Sequence, residues 1–269
     1  MDRLKTEEIC CIPRTIEEYD RQLKIKIGKT LVEMAEYISG AQVNQLKQLK
    51  IAVVPITAGK GIIHCFSDTV AAILEYIGMD VIVTQNTDVA GFAEAFSNKA
   101  DIIFAGDDTI FSAFDINNKR FIDNSFATGR VYAIALELAA GGLEGKQVFV
   151  IGAGQVGLSA IDYLVKSGAK VFVKEIDRYK ISEIKKRYKN DITIVNNLSE
   201  ALNNSKLIFV AAPITNLLDE DNIDSETIIS APALPIGLTK SALKKLPSSN
   251  LIHDPLQLGV VAMVAMALK

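Results

Sequence analysis

An apolar run in the middle of the chain, Val148-Phe149-Val150-Ile151, ends in Gly152-Ala153-Gly154-Gln155-Val156-Gly157. It then passes directly into Leu158-Ser159-Ala160-Ile161-Asp162-Tyr163-Leu164-Val165. This reads as strand, glycine turn and helix. The first glycine permits the tight turn, the second lets the backbone approach a pyrophosphate, and the third lets helix and strand pack closely. Phosphates would lie at the positive end of that helix. A second strand, Lys170 to Lys174, ends at Glu175, 21 residues after Gly154, where a carboxylate partner for a ribose 2′-hydroxyl belongs. An acid there repels a 2′-phosphate, so NAD is expected over NADP. The plain alternative is a tight turn in a sheet that binds nothing.

The pattern around this motif repeats. Strands are expected at 51–56, 81–84 and 102–105, separated by helices at 66–77 and 89–96. They are expected again at 148–151, 170–174, 192–195, 207–210, 227–230 and 250–253. Strand and helix alternating over short links mark parallel sheets with crossover helices. The expected fold class is α/β. Residues 1–140 form a small N-terminal substrate and catalytic α/β domain with a parallel sheet. Residues 141–269 form a doubly wound Rossmann dinucleotide-binding domain, with Gly141-Gly142 at the boundary. The 269-residue length and 49% hydrophobic content suffice for two cores. Ahead of the first strand, Thr15-Ile16-Glu17-Glu18 has capping-box form. Apolar residues then recur at Ile16, Tyr19, Leu23, Ile27, Leu31, Met34 and Ile38, the period of one long helix ending at Gly40. The Asn- and Asp-rich stretch 114–125 reads as a surface loop or hairpin, and 128–140 as a helix.

Several classes of function are disfavoured. Net charge is −3 with both signs interspersed, which gives no electrostatic case for nucleic acid. The run Lys185-Lys186-Arg187 reads as a solvated helix face. The apolar stretch from Leu256 to Leu268 is too short to cross a bilayer and reads as a buried helix. The charged N-terminus does not resemble a signal peptide. The three cysteines, Cys10, Cys11 and Cys65, form a poor disulfide framework and fit a cytoplasmic location. No Cys/His cluster has zinc spacing, so no metal is expected.

A small α/β domain ahead of a dinucleotide domain implies a cleft, with substrate meeting the loops after the first domain's strands. The loop after the third strand is Ala105-Gly106-Asp107-Asp108-Thr109. A carboxylate there suits binding an ammonium group or removing its proton before hydride loss, and adjacent side chains diverge, so one of the two is expected to do it. The alternative is a turn that an Asp caps. Thr57-Ala58-Gly59-Lys60-Gly61 lacks the Lys-Ser/Thr pair of a phosphate loop, and Lys60 is expected to be a surface lysine. His64 and His253 have no triad partner at fixed spacing and read as structural. Asp254, after the last strand, is the better contact for a cationic substrate. Ala211-Ala212-Pro213 and Ser230-Ala231-Pro232 end apolar runs, where dinucleotide domains commonly wall the cofactor; a Pro-terminated strand is the alternative. The expected cofactor-binding set is Gly152, Gly154, Gln155, Val156, Gly157, Glu175, Ala212, Pro213 and Pro232.

The stretch from Ile51 through Val54-Pro55-Ile56-Thr57 to Ile63, with Phe66-Ser67, Tyr76 to Asp80, Asp88-Val89 and Ala105 to Asp108, resembles the pyrrolysine synthase family. The likeness continues through Ala127-Thr128-Gly129, the glycine triplet and Asp254-Pro255-Leu256, and covers most of the chain from Leu4 onward. It implies a two-domain NAD-dependent dehydrogenase acting on lysine whose side-chain nitrogen carries 3-methyl-D-ornithine. Oxidation of the terminal amine, ring closure and loss of ammonia would follow. The resemblance makes Asp107 the functional aspartate, Phe66 an aromatic wall of the substrate pocket, Ile56 and Ala58 its neighbours, and Leu4 a residue folding over the substrate. Asp254 stands where a Glu is expected, with the charge kept and the reach shortened. Two other readings stay open: another two-domain NAD-linked dehydrogenase of amino acids or cyclic imines, and a non-catalytic NAD-binding regulator. Oligomeric state is left open.

Overall fold

The computed structural model describes residues 6–203 and 205–268. The chain divides into two units, each built on its own sheet. The first takes in the chain up to Lys24, Lys29–Thr128 and the residues from Pro255 onward. Its elements begin with α1 (Thr6–Ile9), α2 (Ile12–Ile27), α3 (Leu31–Ser39), α4 (Val43–Leu46), β1 (Lys50–Val54), α5 (Phe66–Tyr76) and β2 (Asp80–Val83). They continue with α6 (Asp88–Ser97), β3 (Ile102–Gly106), β4 (Phe111–Asp115), β5 (Arg120–Asp123) and the start of α7 (Asn124–Ala139).

The single long N-terminal helix expected from periodicity is two helices. Gly28 takes a left-handed backbone, φ 74°, and ends the first. A second begins at Thr30, whose hydroxyl accepts from the Glu33 N–H while the Glu33 carboxylate accepts from the Thr30 N–H. This is the true capping box. Thr15 lies inside α2, and its hydroxyl donates back to the Cys11 carbonyl. The expected stop at Gly40 is observed, with φ 73°.

The first sheet has the order β2-β1-β3-β4-β5. β1 lies parallel to β2 and β3, while β4 and β5 add antiparallel strands. The sheet is therefore mixed rather than purely parallel. Alternate packing on both faces explains why β1 and β3 are near-continuous apolar runs. The stretch expected as a loop or hairpin supplies the β4–β5 turn, closed by an Arg120–Asp115 ion pair at 2.9 Å.

The second unit comprises Ile25–Gly28 and Gly129–Asp254. It contains β6 (Gln147–Ile151), α8 (Gln155–Lys166), β7 (Lys170–Lys174), α9 (Arg178–Tyr188), β8 (Ile192–Ile194) and α10 (Leu198–Asn203). β9 (Leu207–Val210), β10 (Ile228–Ser230), α11 (Lys240–Lys245) and β11 (Leu251–Ile252) follow. Its strands are all parallel in the order β8-β7-β6-β9-β10-β11. Counted from β6 this is 3-2-1-4-5-6, the doubly wound dinucleotide order. Phe149, Ile208, Val210 and Ile229 form its core with Leu218 and Ala242.

The units do not part at Gly141-Gly142. The division falls inside α7, between Thr128 and Gly129. The reason is packing: a Cβ on Gly129 would lie 2.1 Å from the Val156 carbonyl oxygen, so the helix from there onward rests on the glycine turn. The Ser230 hydroxyl also donates to the Tyr132 carbonyl at 2.8 Å. The last helix, α12 (Gln257–Ala267), leaves the second unit and packs with α3, α5 and β4 of the first. It is apolar on every side because every side is buried. Among the described residues, no helix is long and apolar enough to cross a membrane.

Candidate active site

The glycine motif occupies the point in the second sheet where strand order reverses, between β6 and β9. Open α/β sheets bind ligands beyond the carboxyl ends of their strands at such a point. The N–H groups of Ala211 and Ala212 both donate to the Ile151 carbonyl, at 2.9 and 3.1 Å. Gly152 turns with φ 94°, and a Cβ there would meet Ala212 at 3.0 Å. A Cβ on Gly157 would lie 2.0 Å from the Gly152 carbonyl oxygen. Protein atoms thus require these two glycines. Gly154 differs: a Cβ there meets nothing within 4 Å. It precedes the first residue of α8, so the open space lies at the helix's positive end. Gln155 is exposed and Val156 half-buried beside it.

Glu175 closes the motif. Its carboxylate accepts from the Ala153 N–H at 2.8 Å and from the N–H groups of Ile176 and Asp177 at 2.7 and 2.9 Å. Burial works to raise its pKa, but the three N–H donors outweigh this and hold it below the ordinary glutamate value. The group is a fixed anion beside the glycine turn. Pro213 follows Ala212 and is exposed. Pro232 follows Ala231, whose carbonyl lies 2.7 Å from His253 Nδ1. A carbonyl only accepts, so that nitrogen carries the proton. Asp254, expected to face a cationic substrate, is instead 5% exposed. Its carboxylate lies 2.8 Å from the fully buried Tyr132 hydroxyl, which also accepts its N–H.

The acidic loop lies at the reversal point of the first sheet, where β1 and β3 are neighbours. Asp107 Oδ1 accepts from the N–H groups of Thr109 and Ile110 at 2.7 and 2.8 Å. Asp107 therefore does cap its turn. The Ile110 and Thr109 donors hold its pKa below the ordinary aspartate value, so it is ionised at neutral pH. Asp108 turns toward the neighbouring loop, and its Oδ2 accepts from the Lys60 N–H at 2.6 Å. The two side chains diverge, as adjacent residues should.

That contact explains Gly59. Its backbone is left-handed, φ 73°, and a Cβ would sit 2.4 Å from Asp108 Oδ2. A second carboxylate, Asp88, named from sequence only within the family resemblance, holds the other end of the loop. Asp88 accepts from the Thr57 N–H at 2.8 Å and from its hydroxyl at 2.6 Å. Asp88 itself has φ 52°. Thr87-Asp88 at a helix start was the available signal, but it reads as a cap, and the Thr87 side chain makes no capping hydrogen bond. Ile56 is half-buried and Ala58 exposed, while the Lys60 side chain is exposed as expected. Phe66, 7% exposed, stacks edge-on with Phe111 at 4.9 Å. Phe111 in turn packs against Gly106, where a Cβ would lie 2.9 Å from its ring. Ile56, Ala58, Phe66 and Asp107 thus belong to one end of the first sheet. Leu4 lies outside the described residues.

Sequence reasoning also missed a sulfur cluster. Cys10, from the end of α1, is disulfide-bonded to Cys65, which precedes α5, although the adjacent Cys10-Cys11 pair argued against a disulfide. The ring of His64 lies beside them. The partners are 55 residues apart in sequence and meet only through folding.

Two family models match separate stretches of the chain. Residues 8–122 match the family model described as "Pyrrolysine biosynthesis protein PylD, N-terminal domain", and residues 134–230 match that of shikimate/quinate 5-dehydrogenase. The pyrrolysine synthase of Methanosarcina acetivorans is 32% identical over 217 residues, covering 80% of this chain and 81% of the relative. That of Methanosarcina barkeri is 31% identical, covering 80% of each. Among solved structures, shikimate dehydrogenase from Aquifex aeolicus aligns with TM-score 0.51 at 19% identity, over 82% of this chain and 91% of that one. The Ael1 enzyme from Pseudomonas putida aligns at 0.52 and 15%, over 80% and 90%. These structural likenesses establish the dehydrogenase-like fold.

Proposed function

The chain belongs to the pyrrolysine synthase family, and from that premise we propose that it is an enzyme of pyrrolysine biosynthesis. It would oxidise the terminal amine of lysine-Nε-3-methyl-D-ornithine with NAD and release pyrrolysine after ring closure. The observation that carries this reading is an intact dinucleotide motif in one unit together with an aspartate, ionised at neutral pH, at the strand ends of the other.

The residues present fit the cofactor. Gly154 leaves an opening at the start of α8, and Glu175 is a fixed anion suited to a ribose diol and hostile to a 2′-phosphate. Gly152, Gln155, Val156 and Gly157 shape the turn, with Ala212, Pro213 and Pro232 at the neighbouring strand ends. When bound, NAD supplies the hydride acceptor.

The substrate's amine is protonated at neutral pH, its pKa lying near lysine's, about 10.4. A protonated amine has no lone pair with which to form an imine. Asp107 anchors the ammonium as a counter-ion and supports removal of its proton, leaving the nitrogen lone pair to assist hydride departure from the adjoining carbon. Its low pKa suits it better to anchoring and relay than to holding the proton. The α-amine of the ornithine part then attacks the imine carbon. Ammonia leaves, and the new carbon–nitrogen double bond closes the pyrroline. Phe66, Ile56 and Ala58 offer apolar surface to the methylated chain, and by resemblance Leu4 covers it.

The test compares Asp107→Asn with Asp108→Asn in NADH formation with this substrate. The Asn at 107 retains an oxygen for the two turn N–H groups and loses only charge. Turnover should fall by about 10²-fold or more, the size of a general-base contribution, with NAD affinity unchanged. Asp108→Asn should lower it much less. The reverse order would transfer the role to Asp108, and near-wild-type rates in both would remove the acidic loop from the reaction.

A further inference from the structure

We propose that the Cys10–Cys65 pair, when reduced, binds a zinc ion together with His64, so that this corner of the first unit is a metal site whose oxidised form is the disulfide. The inference goes beyond the dehydrogenase reading and does not depend on it. Cys10 Sγ, Cys65 Sγ and a ring nitrogen of His64 all lie within 4.8 Å of one another. A tetrahedral zinc with bonds of about 2.3 Å to sulfur and 2.0–2.1 Å to nitrogen needs donor atoms roughly 3.5–3.8 Å apart. Once the sulfurs are no longer bonded to each other, small side-chain rotations reach that spacing. Two thiolates and an imidazole are a donor set that favours zinc over hard cations such as magnesium or calcium.

The backbone is arranged for it. Cys65 is a non-glycine residue with φ 63°, a conformation uncommon for a side chain of this kind. The turn brings His64 and Cys65, neighbours in sequence, to one centre. On the other side Ile9 is fully buried and its carbonyl accepts from the Thr69 hydroxyl at 3.3 Å, which fixes the end of α1 against α5. Cys10 and Cys65 are half-buried and His64 is exposed, so an ion has a route in and the fourth position is open to water.

The chemistry balances in both directions. Zinc binding replaces two thiol protons, which are released, and changes no oxidation state. Disulfide formation removes two protons and two electrons, taken up by glutathione disulfide as two glutathione thiols. The same sulfurs serve both states, so the states exclude each other. In either one α1 is fastened to the start of α5, immediately before Phe66.

The full chain, reduced with a phosphine and shown by thiol titration to carry three free cysteines, would be incubated with zinc alone and freed of excess. One zinc per chain is expected, and cobalt in its place should show thiolate-to-metal charge-transfer absorption. Cys10→Ser and Cys65→Ser should abolish both. His64→Ala, which keeps both thiols and removes an exposed ring, should weaken zinc binding at least tenfold. Cys11→Ser should bind as wild type does, since Cys11 is free and exposed outside the cluster. Protein oxidised with glutathione disulfide should retain no zinc. The proposal is overturned if reduced protein retains no stoichiometric metal, if His64→Ala binds unchanged, or if Cys11→Ser loses metal as Cys10→Ser does.

Discussion

The two units each present a glycine-rich loop where strand order reverses, yet the loops are built on opposite principles. In the second unit, Gly152 and Gly157 are required by protein atoms while Gly154 faces open space, and the nearby carboxylate of Glu175 binds backbone N–H groups at the turn. In the first, carboxylates hold the loop at both ends: Asp88 grips Thr57 and Asp108 caps Lys60. One loop is shaped by absence of side chains, which leaves open space beside the backbone at Gly154. The other is held by anions, and beside it Asp107 accepts two backbone N–H groups of its own turn. A common position in the sheet therefore does not dictate a common chemistry, and the residues around each loop decide it.

The glycines give the strongest way to break this comparison. Gly157→Ala forces a backbone collision and should both lower Tm, at a cost of about 1–3 kcal/mol or more, and weaken NAD binding. Gly154→Ala should leave Tm unchanged and still weaken NAD at least tenfold, about 1.4 kcal/mol. Thermal melts paired with NAD titration separate the two. If Gly154→Ala binds NAD normally, its open space is not a phosphate seat.

Glu175→Ala sharpens the same side of the comparison. Wild type should prefer NAD over NADP by at least tenfold, and the variant should narrow that gap, since the charge opposing a 2′-phosphate is gone. An NADP preference in wild type would contradict the assignment. The smallest effect concerns acid. Asp107 has a folded-state pKa below the ordinary aspartate value of 3.8. Its contribution to stability is present above the unfolded pKa and is lost as pH falls through the lower folded one. The Tm difference between wild type and Asp107→Asn should therefore hold from pH 7 to about pH 5 and shrink below about 3.9, the unperturbed aspartate value. A gap that grows on acidification would mean the carboxyl is not held ionised.

The same contrast governs what the sequence reveals. The second unit's strands, the glycine turn and Glu175 follow from spacing, because each is read from residues close together in the chain. The acidic loop could be located but not resolved between capping and chemistry; the structure has Asp107 capping its turn, and the same N–H donors hold its carboxyl below the ordinary aspartate value. The hold of Asp88 on Thr57 was invisible because the two lie 31 residues apart. The break at Gly28 was hidden by the apolar step from Ile27 to Leu31, which preserves helical spacing across two helices. The return of α12 to the first unit and the meeting of Cys10 with Cys65 depend on tertiary packing, which local pattern does not encode.

The central claim is that one chain couples amine oxidation to ring closure. Incubating it with NAD and lysine-Nε-3-methyl-D-ornithine, while following NADH absorbance, ammonia and product mass together, tests this most directly. The account predicts one NADH and one ammonia for each pyrroline formed, with a product lighter than the substrate by two hydrogens and one ammonia. Absence of NADH above the rate without enzyme, or NADH formed with no ammonia released, would contradict it.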